Sequence, residues 1–392
     1  MMAITVPLKD LCTIDITDGT HKTPTYVEEG YIFLSSKNVT SGVIDWENVM
    51  YIPESLHNEL YKRIAPQKND ILLAKNGTTG VAAIVDRDEV FDIYVSLALI
   101  RPDTTKVLPK YLLHAVNSHT TKQFFDSHLK GIGVPNLHLT YIREAPIKVP
   151  SITEQQHITE VLDKISEIII LRKEQLAKLE QLVKSRFIEM FGDCLTNPKG
   201  WNTKCLEDIA EVGSSKRVFV EELQEDGIPF YRGTEVGALA EGKQITPELF
   251  ITEEHYTELC EATGTPQIGD LLMPSICPDG RIWVVNTDKP FYFKDGRVLW
   301  VHAIDASYHP VFLLYTLKDR IMTDYSSIAS GTTFAELKIF ALKKCRVFDV
   351  PIALQNQFAT FVEQMGKSKV AIQQSLGKLE LLKNSLMQEY FG

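Results

Sequence analysis

The stretch LEQLVKSRFIEMFGD, Leu179 to Asp193, returns at the end of the chain as LELLKNSLMQEYFG, Leu379 to Gly392. Leu179, Glu180, Leu182, Ser185, Glu189, Phe191 and Gly192 each recur 200 residues later, at Leu379, Glu380, Leu382, Ser385, Glu389, Phe391 and Gly392. A helix ending written twice at a fixed distance implies that the segment before it is also written twice. PQKNDILLAKNGTTGVAAIV (66–85) lines up with PQIGDLLMPSICPDGRIWVV (266–285), again at 200. EGYIFLSSKNV (29–39) matches DGIPFYRGTEV (226–236) at an offset of 197. LPKYLLHAVNS (108–118) matches HPVFLLYTLKD (309–319), and VPSITEQQ (149–156) matches VPIALQNQ (350–357), both at 201. Such drift is what loop insertions leave in two copies of one unit. The chain therefore reads as a domain over 1–150, a central helix over 151–196, a second domain over 197–350 and a last helix over 351–392.

Within the larger segment, YIFLSS, DILLAK, VAAIV and VSLALI are short apolar runs bounded by Gly, Asn and Asp, which predict strands. PKYLLHAVNSHTTKQFFD has helical spacing instead, so each domain is expected to be α+β, with a largely antiparallel sheet. The helices follow a heptad pattern. Ile158, Leu162, Ile165, Ile169, Leu176, Leu179 and Val183 mark the seam of the first. Phe358, Val362, Met365, Ile372, Leu376, Leu379 and Leu386 mark the second, with Gly366 and Gly377 as weak points. Ser151 and Glu154 after Pro150 fit a capping box at the first helix start. Two such seams in one chain predict an intramolecular antiparallel coiled coil. A helix of about 37 residues spans roughly 55 Å.

Composition narrows the function. With 44% hydrophobic and 23% charged residues, no run near 18 apolar residues and no signal-peptide start, a soluble cytoplasmic protein is expected, with no membrane association. The six cysteines are scattered without a CxxC pair, against a disulfide framework or zinc site. No Walker loop, HExxH, PD…ExK pattern or methyltransferase Asn-Pro-Pro-aromatic site is present, and Gly131-Ile-Gly133 reads as a turn. These absences point to a binding protein with no cofactor of its own rather than an enzyme. Net charge is −10, and residues 201–350 hold 15 basic against 23 acidic side chains. DNA-binding proteins usually carry a basic face, so any such role has to account for this acidity.

The ordered motifs resemble those of the DNA-specificity subunit of type I restriction–modification systems. DGTHKTP (18–24) with FLSSKNV (33–39) resembles the opening of that family's target-recognition domain, and NDILLAKNGTTG (69–80) its middle. GVPNLHLTYIREAPIKVPSITEQQHITEVLDKI (133–165) is similar to the exit into its spacer helix, through Pro150, Glu154, Gln155 and Ile158. The second copy departs, since Gln355 and Asn356 follow Pro351 and the acid is missing. The resemblance spans the chain. It implies two target-recognition domains that read a bipartite double-stranded DNA site. It also implies helices that dock two adenine methyltransferase subunits, and two further restriction/translocase subunits. S-adenosylmethionine, ATP and Mg would then sit on those partners, which would also supply much of the attraction for phosphate. A rival expectation keeps the architecture without DNA, as a tandem-repeat coiled-coil adaptor for protein partners.

Base reading needs Arg or Lys for guanine and Asn or Gln for adenine, on loops beside the recurring strands. The first domain offers Lys22, Thr23, Ser35, Ser36, Lys37, Asn38, Lys75, Asn76, Thr78 and Asn136. The second offers Lys216, Arg217, Arg232, Thr234, Glu235, Ser275, Asp279, Arg281, Thr332 and Thr333. Aligned loops differ in chemistry, SSKN against RGTE and AKNGTTG against PSICPDG, as two readers of different half-sites require.

Overall fold

The computed structural model describes residues 4–129, 135–331 and 335–392, and the chain divides into two compact units. Unit 1 comprises residues 1–174 with 373–392, and unit 2 comprises 175–372. Each unit thus owns one α+β domain and a segment of each long helix.

In unit 1 a four-stranded antiparallel sheet runs in the order Thr17–Asp18, Leu97–Ile100, Ile71–Ala74, Ala82–Ile84. A second sheet holds Tyr31–Leu34 between Met50–Ile52 and Phe91–Ile93, and the pairing with Phe91–Ile93 is parallel. Ile4–Pro7 pairs antiparallel with Pro146–Val149, tying the domain's two ends together. Unit 2 repeats this. Its larger sheet runs Glu211–Gly213, Val298–His302, Leu271–Pro274, Trp283–Val284. Its smaller sheet sets Ile228–Tyr231 between Phe250–Ile251 and a parallel Tyr292–Phe293, and Thr203–Cys205 closes on Arg346–Phe348. The expected antiparallel character therefore holds with one parallel pair per unit.

The central strands explain their unbroken apolar sequence. Alternate residues of a strand point to opposite faces. Ile71, Leu73, Ala98 and Ile100 enter the core shared with the long helices, whereas Leu72, Ala74, Leu97 and Leu99 enter a separate core under the smaller sheet. Both faces are buried, so no polar alternation survives. Unit 2 divides Leu271, Met273, Leu299 and Val301 from Leu272, Val298 and Trp300 in the same way.

The helices Ile152–Phe191 and Ile352–Phe391 pack together antiparallel. In unit 1, Ile158 and Leu162 share a core with Phe391, with Leu386 and Tyr390 against it. In unit 2, Val183, Phe187 and Phe191 share a core with Phe358, with Val362 and Met365 against it. Lys173 pairs with Glu380 (3.4 Å) in unit 1, and Lys369 with Glu180 (2.8 Å) in unit 2. Among the seam residues, Ile158, Leu162, Ile165, Ile169, Val183 and Phe358 are buried, and the other eight are half-buried. No helix among the described residues is long and apolar enough to cross a membrane.

The duplicated Phe-Gly ending has an unexpected destination. Phe191, which follows the first domain in sequence, is 0% exposed in unit 2 against Phe187, Phe312 and Phe358. Phe391, which follows the second, is buried in unit 1 against Tyr111. Each helix begins on one unit and ends by filling the core of the other.

One residue per junction holds domain to helix. Gln155, 0% exposed, accepts the Leu108 N–H (2.8 Å) and donates to Lys106 O (3.1 Å) and Pro150 O (3.0 Å). Gln355, also 0% exposed, accepts the His309 N–H (2.8 Å) and donates to Ser307 O (3.0 Å) and Val350 O (2.9 Å). The true offset of this segment is therefore 200, and the 201 alignment of VPSITEQQ with VPIALQNQ is corrected by the shared hydrogen bonds. Of the capping box, Ser151 Oγ accepts the Glu154 N–H at 3.3 Å.

Asp163 adds an ionic tie within unit 1, 2.9 Å from His114 Nε2 and 2.6 Å from Lys110 Nζ. The His114 hydrogen bond, against the opposing effect of burial and with help from Lys110, draws its carboxyl down from 3.8 to about 2. A depressed carboxylate pKa contributes stability above its unfolded value and loses it as pH falls through the folded one. Asp163→Asn should therefore flatten the loss of stability between pH 3.8 and about 2, read from melting curves at stepped pH.

Candidate nucleic-acid interface

The expected site loops meet at one end of the four-stranded sheet in each unit. In unit 1, the Lys75 N–H donates to Ser96 O (2.9 Å), and the Ser36 N–H donates to Ser96 Oγ (2.9 Å). The Leu137 N–H donates to Lys75 O (2.8 Å), which sets Asn136 opposite Asn76 in an isolated antiparallel bridge. Unit 2 copies the scaffold: the Ser275 N–H donates to Arg297 O (2.8 Å), and the Leu337 N–H donates to Ser275 O (2.7 Å). Backbone bonds therefore equate Lys75 with Ser275 and Ser96 with Arg297.

Several of these side chains hold the loops rather than project from them. Lys75 is buried, its Nζ 2.8 Å from Asp18 Oδ2, with both side chains 8% exposed. Asn38 is buried; its Oδ1 accepts the Ser35 N–H (2.9 Å), and its Nδ2 donates to Asp45 O and Asn48 O. Glu235 occupies the same place in unit 2, accepting the Arg232 N–H at 2.8 Å. Burial pushes the Glu235 carboxyl up, but bonds from Arg232 and Thr234 outweigh it and bring it to about 2. Ser275 is buried as well. These positions are among those expected to read bases; in the structure the side chains of Asn38, Lys75 and Glu235 are engaged within the chain and fix the loop geometry.

The remaining residues are more open. Lys22, Thr23, Lys37 and Thr78 are exposed, and Ser35, Ser36, Asn76 and Asn136 are half-buried. In unit 2, Lys216, Arg217, Thr234 and Asp279 are exposed, while Arg232 and Arg281 are half-buried. Arg232, Thr234, Ser275 and Arg281 line one cleft of about 730 Å³ whose walls include Phe230, Leu249, Pro274 and Ile276. Thr332, Thr333 and the Gly131–Gly133 turn lie outside the described residues.

A two-part match now bears on this geometry: the model of the type I restriction modification DNA specificity domain matches residues 4–181 and again 198–384. The chain belongs to the type I restriction–modification DNA specificity family. Among curated relatives, the MjaIX specificity subunit of Methanocaldococcus jannaschii is 26% identical over 361 residues, covering 86% of this chain and 79% of the relative. The MjaVIII specificity subunit of the same organism is 26% identical over 185 residues, covering 46% of this chain and 43% of the relative. The fold is similar to the S subunit from M. genitalium, with a TM-score of 0.59 at 14% identity, covering 100% of this chain and 96% of that one. A chain from a type I R-M system studied for its assembly and conformational transition gives 0.59 at 18%, covering 100% and 97%.

In this specificity-family chain, sequence reasoning passed over four site residues. Lys294 and Arg297 line the unit 2 cleft, and Asp18 and Ser96 anchor the unit 1 loops. The Asp295-Gly296 pair, with Gly296 at φ +62°, was a turn signal that could have placed Lys294 and Arg297 at a strand end. Asp18 opens the Asp18-Gly19 pair, a turn signal of the same kind, but its pairing with Lys75 was not legible because that partner lies 57 residues away in sequence.

Proposed function

We propose that this chain is the sequence-reading subunit of a type I restriction–modification complex. Each unit contacts one part of a split double-stranded DNA target, and the paired helices dock two adenine methyltransferase subunits. Catalysis then belongs to partners: methyl transfer with S-adenosylmethionine, and translocation and cleavage with ATP and Mg in two restriction subunits.

One observation carries the reading. Two units with the same strand order and the same loop hydrogen bonds present different side chains at equivalent positions: Ser35 against Arg232, Ser96 against Arg297, and Val81 against Arg281. A scaffold kept constant while its loop chemistry changes suits two readers of unlike sequences. The helices support twofold docking, since exposed apolar residues recur at the same offset, Ile170 with Val370 and Leu182 with Leu382. The acidity of unit 2 fits a subunit that leaves much of the phosphate neutralisation to its partners.

The test is methylation mapping with the assembled methyltransferase. Four residues inserted into the helix Ile152–Phe191 add about 6 Å if it stays helical, nearly two base-pair steps of about 3.4 Å. Both half-sites should persist with a longer unspecified gap. Unchanged spacing would rule out the helices as the ruler, and methylation without a bipartite site would favour the adaptor role.

A further inference from the structure

The hydrogen bonds of four arginines on or beside the unit 2 cleft divide them into two kinds. Arg232 spends Nε and Nη2 on Glu235, and Nη2 also reaches Glu248. Arg297 spends Nη1 on Glu336. Arg281 is held only through Nε, 3.0 Å from Asp279 Oδ1 and 2.8 Å from Oδ2. Arg217 is held the same way, with Nε 3.1 Å from Asp295 Oδ2, but it is not among the cleft-lining residues. Among the described residues, no hydrogen bond or ion pair engages Nη1 or Nη2 of Arg281.

An arginine anchored through Nε has given up much of its rotamer freedom, while its two Nη groups remain a planar fork of donors. Guanine O6 and N7 accept such a fork in the major groove. A phosphate would meet the same fork, but the half-exposed carboxylate of Asp279 beside it repels an anion. The same carboxylate is compatible with a base pair, because cytosine N4 offers a donor to Asp or Glu. We infer that Arg281 reads a guanine in the half-site of unit 2, with Asp279 as the positioning residue that aims the fork. Arg232 and Arg297 each have one Nη engaged within the chain and so do not present the Nη1/Nη2 pair, although Arg297 keeps its Nε/Nη2 edge. The inference rests on the half-site reading proposed above.

The experiment measures methylation by the assembled complex on a library randomised in both half-sites. Arg281→Ala should cut discrimination about tenfold or more at a single G·C pair and leave the other positions unchanged. Asp279→Asn should lose part of the preference at that same pair while the chain's melting temperature holds. Arg281→Lys, which keeps the charge without the fork, should resemble the alanine variant and carries the test if that variant does not fold. Uniform weakening on all sequences would make Arg281 a phosphate contact and overturn the inference. So would full discrimination in Asp279→Asn. A triple variant, Arg232→Ala with Arg281→Ala and Arg297→Ala, separates the two levels. If it leaves both half-sites unchanged, the half-site reading of unit 2 itself fails; if it alters one while Arg281→Ala does not, only the fork assignment fails.

Discussion

Replacing Gln155 by alanine should destabilise unit 1 by roughly 3–5 kcal/mol, among the largest effects of any single polar substitution in the chain. The reason is what the side chain leaves behind. Its removal strands the Leu108 N–H and the carbonyls of Lys106 and Pro150 in a site where Gln155 itself is 0% exposed. An unsatisfied buried polar group costs about 1–3 kcal/mol, roughly twice the net gain of the bond it lost. Gln155→Glu should fare little better, because a carboxylate can accept from Leu108 but cannot donate to two carbonyls. Gln355→Ala should do the same in unit 2, through His309, Ser307 and Val350. Chemical denaturation of the full chain measures the loss. A cost below about 1 kcal/mol would mean that water replaces the side chain at the junction.

Phe191→Ala and Phe391→Ala should each cost about 3–5 kcal/mol, and the location of the damage is the sharper part of the expectation. Phe191 packs with Phe187, Phe312 and Phe358, so its loss should loosen unit 2. Phe391 packs against Tyr111 in the core that holds Ile158 and Leu162, so its loss should loosen unit 1. Amide hydrogen exchange distinguishes them. Phe191→Ala should release protection at Leu271–Pro274 and Val298–His302, whereas Phe391→Ala should release it at Ile71–Ala74 and Leu97–Ile100. The reverse pattern would mean that each helix end serves the domain preceding it in sequence.

The two sets of variants mark where the sequence was legible. The helix seam could be read directly, because Ile158, Leu162 and their successors recur at a spacing that only a helix places on one face. The strands were legible as apolar runs, although burial on both sides hid which residue served which core. Internal alignment exposed the duplication, yet it misplaced the VPSITEQQ segment by one residue, because only the paired hydrogen bonds of Gln155 and Gln355 reveal equivalence. Composition and spacing could not rank the loop residues. Lys75 and Lys37 are both lysines in turns, but one is buried on Asp18 and the other is exposed.

The repeated LE-x-L-x-x-S-x-x-x-E-x-FG ending sums up that division. By itself the sequence determined that the chain is two copies of an α+β unit, each followed by an amphipathic helix, because repeats and periodicity are local properties of the chain. Only the tertiary structure decided which core receives each Phe-Gly end, which loop cations are neutralised by acids, and which arginines are held through Nε alone. Those outcomes depend on partners such as Tyr111 for Phe391, Asp18 for Lys75 and Glu248 for Arg232. Such pairs are set by the packing of whole elements, and no spacing rule along the chain encodes them.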